Sequence, residues 1–196
     1  MICWSCERAA GGGPQCESCG AILPPDPRAD HFAVFGLERR FDVDAGELEA
    51  RFRERSRKLH PDRFATADAR ARRAALAHGV QMNEARAVLK DPIRRAEYLL
   101  GLGGVAVPKE VPPALLMEIL ELREELGEAR AAGRQDKVRA MAGVMRQRMD
   151  AALREIAAGF TAGDVARVAA RLVEIRYFQR FLDEVAMFEE AVADAR

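Results

Sequence analysis

Residues 44–63 read Asp44-Ala45-Gly46-Glu47-Leu48-Glu49-Ala50-Arg51-Phe52-Arg53-Glu54-Arg55-Ser56-Arg57-Lys58-Leu59-His60-Pro61-Asp62-Arg63. The stretch has a beginning, a face and an end. Asp44 is a natural N-cap, with Glu47 three residues on as its capping-box partner. Leu48, Phe52 and Leu59 recur at helical spacing and mark the buried stripe. Pro61 pushes the residue before it out of helical geometry, so the helix stops at His60. Downstream, a second helix is expected from about Thr66 to Lys90, with Leu76, Val80, Met82 and Leu89 as core candidates. Asp91-Pro92 ends it, and a last short segment covers Ile93 to Leu102. The product is an antiparallel helical hairpin with His60-Pro61-Asp62 in its connecting loop.

The hairpin carries an uneven charge. Residues 51–73 hold nine basic and three acidic side chains, a local net charge of +6. In projection Arg53 and Arg57 lie away from the Leu48/Phe52 stripe, flanked by Arg51 and Lys58. His60 and Asp62 resemble part of a catalytic dyad, but the four cysteines all lie far upstream, at residues 3–19. A nucleic-acid contact would want exposed aromatic side chains among the cations for base stacking, and the one aromatic of the basic helix, Phe52, belongs to its buried stripe. No GxxxxGK phosphate loop occurs.

Upstream, the four cysteines form two close pairs, Cys3-x-x-Cys6 and Cys16-x-x-Cys19, nine residues apart. Two such loops supply four thiolates, the donor set of a closed tetrahedral zinc site. Gly11-Gly12-Gly13-Pro14 can turn the chain back so that the pairs face each other, and Gly20 suits a tight turn. A head of about 24 residues cannot bury enough apolar surface to fold alone, and a structural metal compensates. Iron is the main rival occupant. Disulfides do not suit a chain without a visible secretory leader. Four thiolates leave no open position for catalysis at the metal.

Downstream, Gly103-Gly104-Val105-Ala106-Val107-Pro108 separates a second helical unit. Its helices are expected from Pro112-Pro113 to near Gly133, from Asp136 to Ala158 before Gly159, and from Asp164 to about Ala193. Short loops make them an antiparallel three-helix bundle. In the first, Leu115, Ile119, Leu122 and Leu126 fall within about 60° and form an ordinary core stripe. Leu116 and Leu120 lie roughly 100° from its centre, with Met117, Glu121, Glu124 and Glu128 further round. Residues 115–128 carry five acids and one base, a net charge of −4. An apolar strip rimmed by charge has the character of a docking surface.

The whole chain is 49% apolar and 32% charged, with 31 basic and 31 acidic residues and a net charge of zero. That balance argues against bulk attraction to nucleic acid or membrane. No run of about 18 apolar residues occurs. The expected fold is all-α: residues 1–24 as a zinc-ribbon-like head, 25–104 as the hairpin domain, 105–111 as linker and 112–196 as the bundle. With thiols suited to a reducing space, the expected compartment is the cytoplasm.

Two resemblances follow from these residues. The hairpin with His60-Pro61-Asp62 resembles a J domain, the module of J-protein co-chaperones. The resemblance implies that His60, Pro61 and Asp62 engage a heat-shock ATPase chaperone of the DnaK/HscA class and stimulate its ATP hydrolysis, with Arg53, Arg57, Lys58 and Arg63 in the contact. One departure is Arg55, whose position is usually apolar in J domains; its methylenes can snorkel along the core.

Three further blocks, Arg95-Ala96-Glu97-Tyr98-Leu99-Leu100, Leu116 to Leu126 and Arg180-Phe181-Leu182-Asp183, resemble the HscB family of iron–sulfur cluster co-chaperones, in its longer form with a four-cysteine head. The family implies that Leu116, Met117, Leu120, Glu121, Glu124, Glu128 and Phe181 contact a cluster scaffold protein of the IscU type. It also implies a non-enzymatic adaptor. The alternatives are a J protein serving other clients and, further off, a zinc-ribbon nucleic-acid binder.

Overall fold

A computed structural model describes residues 1–194. After the cysteine head every regular element is a helix. The elements are α1 (His31–Phe35), α2 (Ala45–Leu59), a 3₁₀ turn (Pro61–Phe64), α3 (Ala69–Lys90), α4 (Pro92–Leu102), α5 (Pro113–Ala131), α6 (Gln135–Ala162) and α7 (Val165–Asp194). The described residues form no β-sheet, only the isolated bridges Ile2–Ala9 and Gln15–Ile22.

Aspartates start most of these helices. Asp30, Asp44, Asp68, Asp91 and Asp164 each accept backbone N–H bonds from the first turn of α1, α2, α3, α4 and α7. A short carboxylate satisfies the orphan donors there and complements the helix dipole. The capping box expected at Asp44 is only half made. Asp44 Oδ1 accepts from Glu47 N at 2.6 Å, but the Glu47 carboxylate turns to Arg51 at 2.7 Å.

The chain divides into two compact units, Met1–Arg95 and a second beginning at Ala96. The expected borders at 104 and 112 lie further along the chain. In the first unit α2 and α3 form the hairpin, joined by the Arg86–Glu49 ion pair at 2.7 Å. Ile22, Leu23, Phe32, Phe35, Leu48, Leu59 and Leu89 are its fully buried large side chains. Phe52 is half-buried, edge-on to Phe35 with Arg86 over its ring.

On α3 the expected core is wrong in part. Leu76 and Val80 are 57% and 68% exposed. The buried side is Ala71, Ala74, Ala75, His78, Met82, Ala85, Val88 and Leu89. Small alanines allow close approach to α1 and α2, so the larger side chains are turned outward.

In the second unit α5, α6 and α7 form the bundle. Lys137–Glu125 and Arg148–Glu118 run α6 antiparallel to α5. Glu155 bonds Arg167 and Arg171, and Arg139 meets Glu189, which sets α7 antiparallel to α6. The two arginines hold the Glu155 carboxyl below its ordinary value. Helix α6 does not end at Gly159 as expected; it runs to Ala162 and is capped by Gly163 at φ 71°. Gly159 is instead a contact point, because a Cβ there would stand 2.7 Å from Val168 Cγ2. The expected end of the bundle at residue 196 lies outside the described residues.

Candidate functional site

The cysteine head is built from two copies of one local structure. Cys3 N donates to Arg8 O and Glu7 N to Cys3 O; thirteen positions on, Cys16 N donates to Ala21 O and Gly20 N to Cys16 O. The residue after each second cysteine, Glu7 or Gly20, takes a positive φ (58° and 74°) to close its turn. The two turns bring Cys3 Sγ to 3.7 Å from Cys19 Sγ and Cys6 Sγ to 3.8 Å from Cys16 Sγ. All four sulfurs lie within 4.8 Å of one another and none is in a disulfide.

A tetrahedron with metal–sulfur bonds of about 2.3 Å has edges of about 3.8 Å, so this set fits a tetrahedral metal ion. Backbone N–H groups of Cys19 and Ser18 pull the Cys16 thiol down to about 7. At Cys6 the backbone of Arg8 pulls down, but desolvation and the three other sulfurs outweigh it and push the thiol up to about 11. Thiolates crowded this closely repel one another, and a bound cation relieves that repulsion.

Within the head, Trp4 Nε1 donates to Ile22 O at 2.8 Å. The head is fastened to the hairpin by side chains of α3. His78 Nε2 lies 2.8 Å from Leu23 O, and Gln81 Nε2 donates to Asp26 O at 3.1 Å. Sequence periodicity gave no sign of His78, a polar residue on the buried side of α3 whose partner is 55 positions away.

The His-Pro-Asp loop is open to solvent. The His60 and Asp62 side chains are 55% and 89% exposed. His60 Nδ1 accepts the Asp62 N–H at 3.3 Å, which shapes the 3₁₀ turn. Pro61 is half-buried, and the exposed Arg63 donates from Nη1 to Arg57 O at 3.5 Å. Arg53 and Arg57 are exposed without an ion-pair partner among the described residues. Lys58 is paired with Glu54 at 2.7 Å. Arg51 is occupied differently: it holds the carbonyls of Phe35 and Gly36 and the Glu47 carboxylate. The sequence grouped these cations together, whereas the structure separates free ones from tethered ones.

On α5 the exposed apolar residues are Leu116, Met117 and Leu120 (44%, 58% and 53%). The acids of the helix fall into two sets. Glu118 pairs with Arg148 and Glu125 with Lys137, both tied into the bundle. Glu121, Glu124 and Glu128 are exposed and have no ion-pair partner among the described residues. Spaced three and four apart, they share a face with Met117 and Leu120. Phe181, expected beside them, is 5% exposed. With Phe178 and Val185 it belongs to the buried stripe of α7, and it faces Ile119 and Met145.

No helix among the described residues is long and apolar enough to cross a membrane. A helical hairpin with an exposed His-Pro-Asp loop, followed by a separate helical bundle, is the architecture of a J-protein co-chaperone.

Comparison with known proteins agrees. Residues 111–186 match a family model described as the HSCB C-terminal oligomerisation domain. The iron–sulfur cluster co-chaperone protein HscB of Mus musculus is 29% identical over 94% of this chain and 81% of its own. The crystal structure of human co-chaperone protein HscB superposes with a TM-score of 0.89 at 26% identity, over 96% of this chain and 98% of the other. The chaperone HscB from Vibrio cholerae gives a TM-score of 0.76 at 32% identity, over 83% and 99%. The chain spans 51% and 61% of the length of two further curated relatives. The chain belongs to the HscB family of co-chaperones.

Proposed function

We propose that this protein is a non-enzymatic adaptor in iron–sulfur cluster assembly. Its first unit docks on an ATPase chaperone of the heat-shock class through His60, Pro61 and Asp62, with Arg53, Arg57, Lys58 and Arg63 alongside, and stimulates ATP hydrolysis. Its bundle carries the cluster scaffold protein on Leu116, Met117, Leu120, Glu121, Glu124 and Glu128. Phe181 supports that face from beneath. Joining two docking modules in one chain raises the effective concentration of scaffold near chaperone.

The observation that carries the reading is the partition of the α5 acids. Three carboxylates stand unpaired beside three exposed apolar side chains, while their neighbours on the same helix are paired inward. A solvated helix face needs no apolar strip, and a core face needs no free acids. A rimmed apolar strip suits a protein partner.

In the head, Cys3, Cys6, Cys16 and Cys19 hold a structural zinc. When bound, zinc supplies a cross-link between the two turns and no open coordination site for catalysis. The free thiols suit a reducing compartment such as the cytoplasm.

The deciding experiment measures ATPase stimulation of a cognate chaperone with and without the scaffold protein. The scaffold should add to the stimulation by the wild-type chain. No difference between the two conditions defeats the cluster-assembly reading.

A further inference from the structure

The α5 residues assigned to scaffold docking are few. A specific protein interface takes about 20–30 residues from each partner, so the face of Leu116, Met117 and Leu120 has to continue onto its surroundings. On the α7 side it meets the Arg123–Glu184 ion pair. On the α6 side it meets a groove of about 420 Å³.

The groove is apolar inside and acidic at its edge. Leu122 of α5 and Met141, Val144 and Met145 of α6 line it. Glu118, Glu121 and Glu125 stand around them, with Arg148 the one cation among the lining residues. Arg148 pairs with Glu118 and Lys137 with Glu125. That leaves Glu121, exposed and without an ion-pair partner among the described residues. No polar group inside the groove is placed to orient a small molecule, which small-ligand sites require.

Val144 is the unusual residue of α6. The buried side of that helix runs through Val138, Ala142, Met145, Ala152 and Ile156. Val144 is one residue before Met145, hence turned about 100° from it, and is 55% exposed. No other large apolar side chain of α6 is as exposed among the described residues. A single surface valine is ordinary. This one stands three residues from Met141 on the same helix face and opens onto the groove. Methionine is unbranched and polarizable, so Met141 and Met145 can adapt to an inserted side chain.

We propose that this groove is a second part of the scaffold-docking surface, taking an apolar side chain of the scaffold protein with a neighbouring lysine or arginine of that partner on Glu121. The inference rests on the reading that α5 docks the scaffold, and it carries the contact onto α6 through Met141 and Val144. Glu121 joins the two parts, four residues from Met117 on the exposed face and at the edge of the groove. The free carboxylates of α5 make the surface complementary to a basic partner segment.

The metal-loaded full chain is titrated with the cluster scaffold protein of its own organism by calorimetry. Val144→Lys removes the apolar wall and offers Glu121 a cation from within the chain. It should weaken binding about tenfold, as should Met141→Ala with Val144→Ala. Val165→Ala, at an exposed apolar position of α7 outside the groove, should change nothing. In the wild-type chain the methyl NMR signals of Met141 and Val144 should shift as the scaffold saturates. Circular dichroism checks that each variant is folded; if the double variant is not, Val144→Lys and the methyl shifts decide.

Leu120→Ala in the same titration separates this proposal from the reading beneath it. If Leu120→Ala weakens binding while folded groove variants bind as wild type, the groove is overturned and the α5 assignment stands. If Leu120→Ala also binds as wild type, the α5 assignment falls and the groove with it. Sedimentation of the chain alone covers the other occupant: self-association abolished by Val144→Lys gives the groove to a second copy and overturns the proposal.

Discussion

His78 Nε2 reaches the backbone carbonyl of Leu23 at 2.8 Å, tying the middle of α3 to the end of the cysteine head. A carbonyl only accepts, so Nε2 carries a proton in this contact. Burial lowers the His78 pKa, the bond to Leu23 raises it in part, and the nearby Arg55 lowers it further. The folded-state pKa is therefore below the ordinary 6.5. The unfolded chain binds the proton more readily, so stability is complete above about pH 6.5 and falls as pH drops through the window below it. His31, also lowered chiefly by burial, acts in the same direction. Urea melts of wild type and His78→Gln between pH 5 and 8 check this. The variant should be less stable at pH 8 and show a shallower acid slope; parallel profiles would assign the slope to His31 and the thiolates instead.

Gly159 sets the distance between α6 and α7. Gly159→Ala gains about 1 kcal/mol of helix propensity. Against that, the new Cβ would sit 2.7 Å from Val168 Cγ2. Valine has one strongly preferred rotamer in a helix and cannot swing aside freely. Overpacking of this kind costs about 1–3 kcal/mol, so the net change is destabilising. Equilibrium unfolding should show a lower midpoint for Gly159→Ala, partly restored in Gly159→Ala with Val168→Ala. A rise in stability for the single variant would mean the helices separate without penalty.

Much of this was legible in the residues, for local reasons. Asp44 before an apolar-periodic run and Pro61 after it bound α2, because caps and prolines act within one turn. The spacing of the four cysteines pointed to the sulfur cluster, since two short loops are enough to aim four side chains. The offset of Leu116, Met117 and Leu120 from the core stripe of α5 followed from the helical period alone. What failed depended on neighbours remote in sequence. Leu76 and Val80 looked like core because they are large and apolar, yet α3 buries alanines where it lies close to α1 and α2. Gly159 looked like a stop signal, but its missing side chain serves a helix crossing. Phe181 was placed on the docking face by resemblance, although its spacing from Phe178 and Val185 already put it in the α7 stripe.

Metal removal has a built-in reporter. Trp4 is the chain's single tryptophan. It belongs to the small cluster around Cys3, Cys16 and Leu23, with its indole N–H on Ile22 O at 2.8 Å. No helix begins before His31. A strong chelator should therefore red-shift Trp4 fluorescence while far-ultraviolet helicity stays nearly constant. Cys3→Ser should reproduce the shift and lose the bound metal. A coordinated loss of helix on chelation would show that the metal supports the hairpin as well as the head.

At the loop, His60→Gln separates recognition from folding. Both His60 and Asp62 are largely exposed. Such a change should alter stability by no more than about 0.5 kcal/mol. Chaperone ATPase stimulation should nonetheless be lost. Arg53→Ala with Arg57→Ala should weaken docking, and the wild-type interaction should itself weaken with added salt. A salt-independent affinity would remove these free cations from the contact.

The bundle face offers the sharpest contrast, because the proposed contacts differ in burial. Leu116→Ala, Met117→Ala and Leu120→Ala remove exposed apolar surface. Each should leave the bundle's stability within about 0.5 kcal/mol of wild type and reduce scaffold binding. Phe181→Ala empties a buried site among Ile119, Met145 and Phe178, and should cost about 3–5 kcal/mol. Any binding loss in Phe181→Ala should therefore track unfolding and be recovered under stabilising conditions, whereas that of the face variants persists in fully folded protein. Glu121→Gln, Glu124→Gln and Glu128→Gln combined should slow association most at low salt, since unpaired rim charges act chiefly on encounter. Glu118→Gln instead breaks the pair with Arg148 and should act on stability alone. Equal binding losses for the Glu118 variant and the triple variant would erase the division of the α5 acids on which the docking assignment rests.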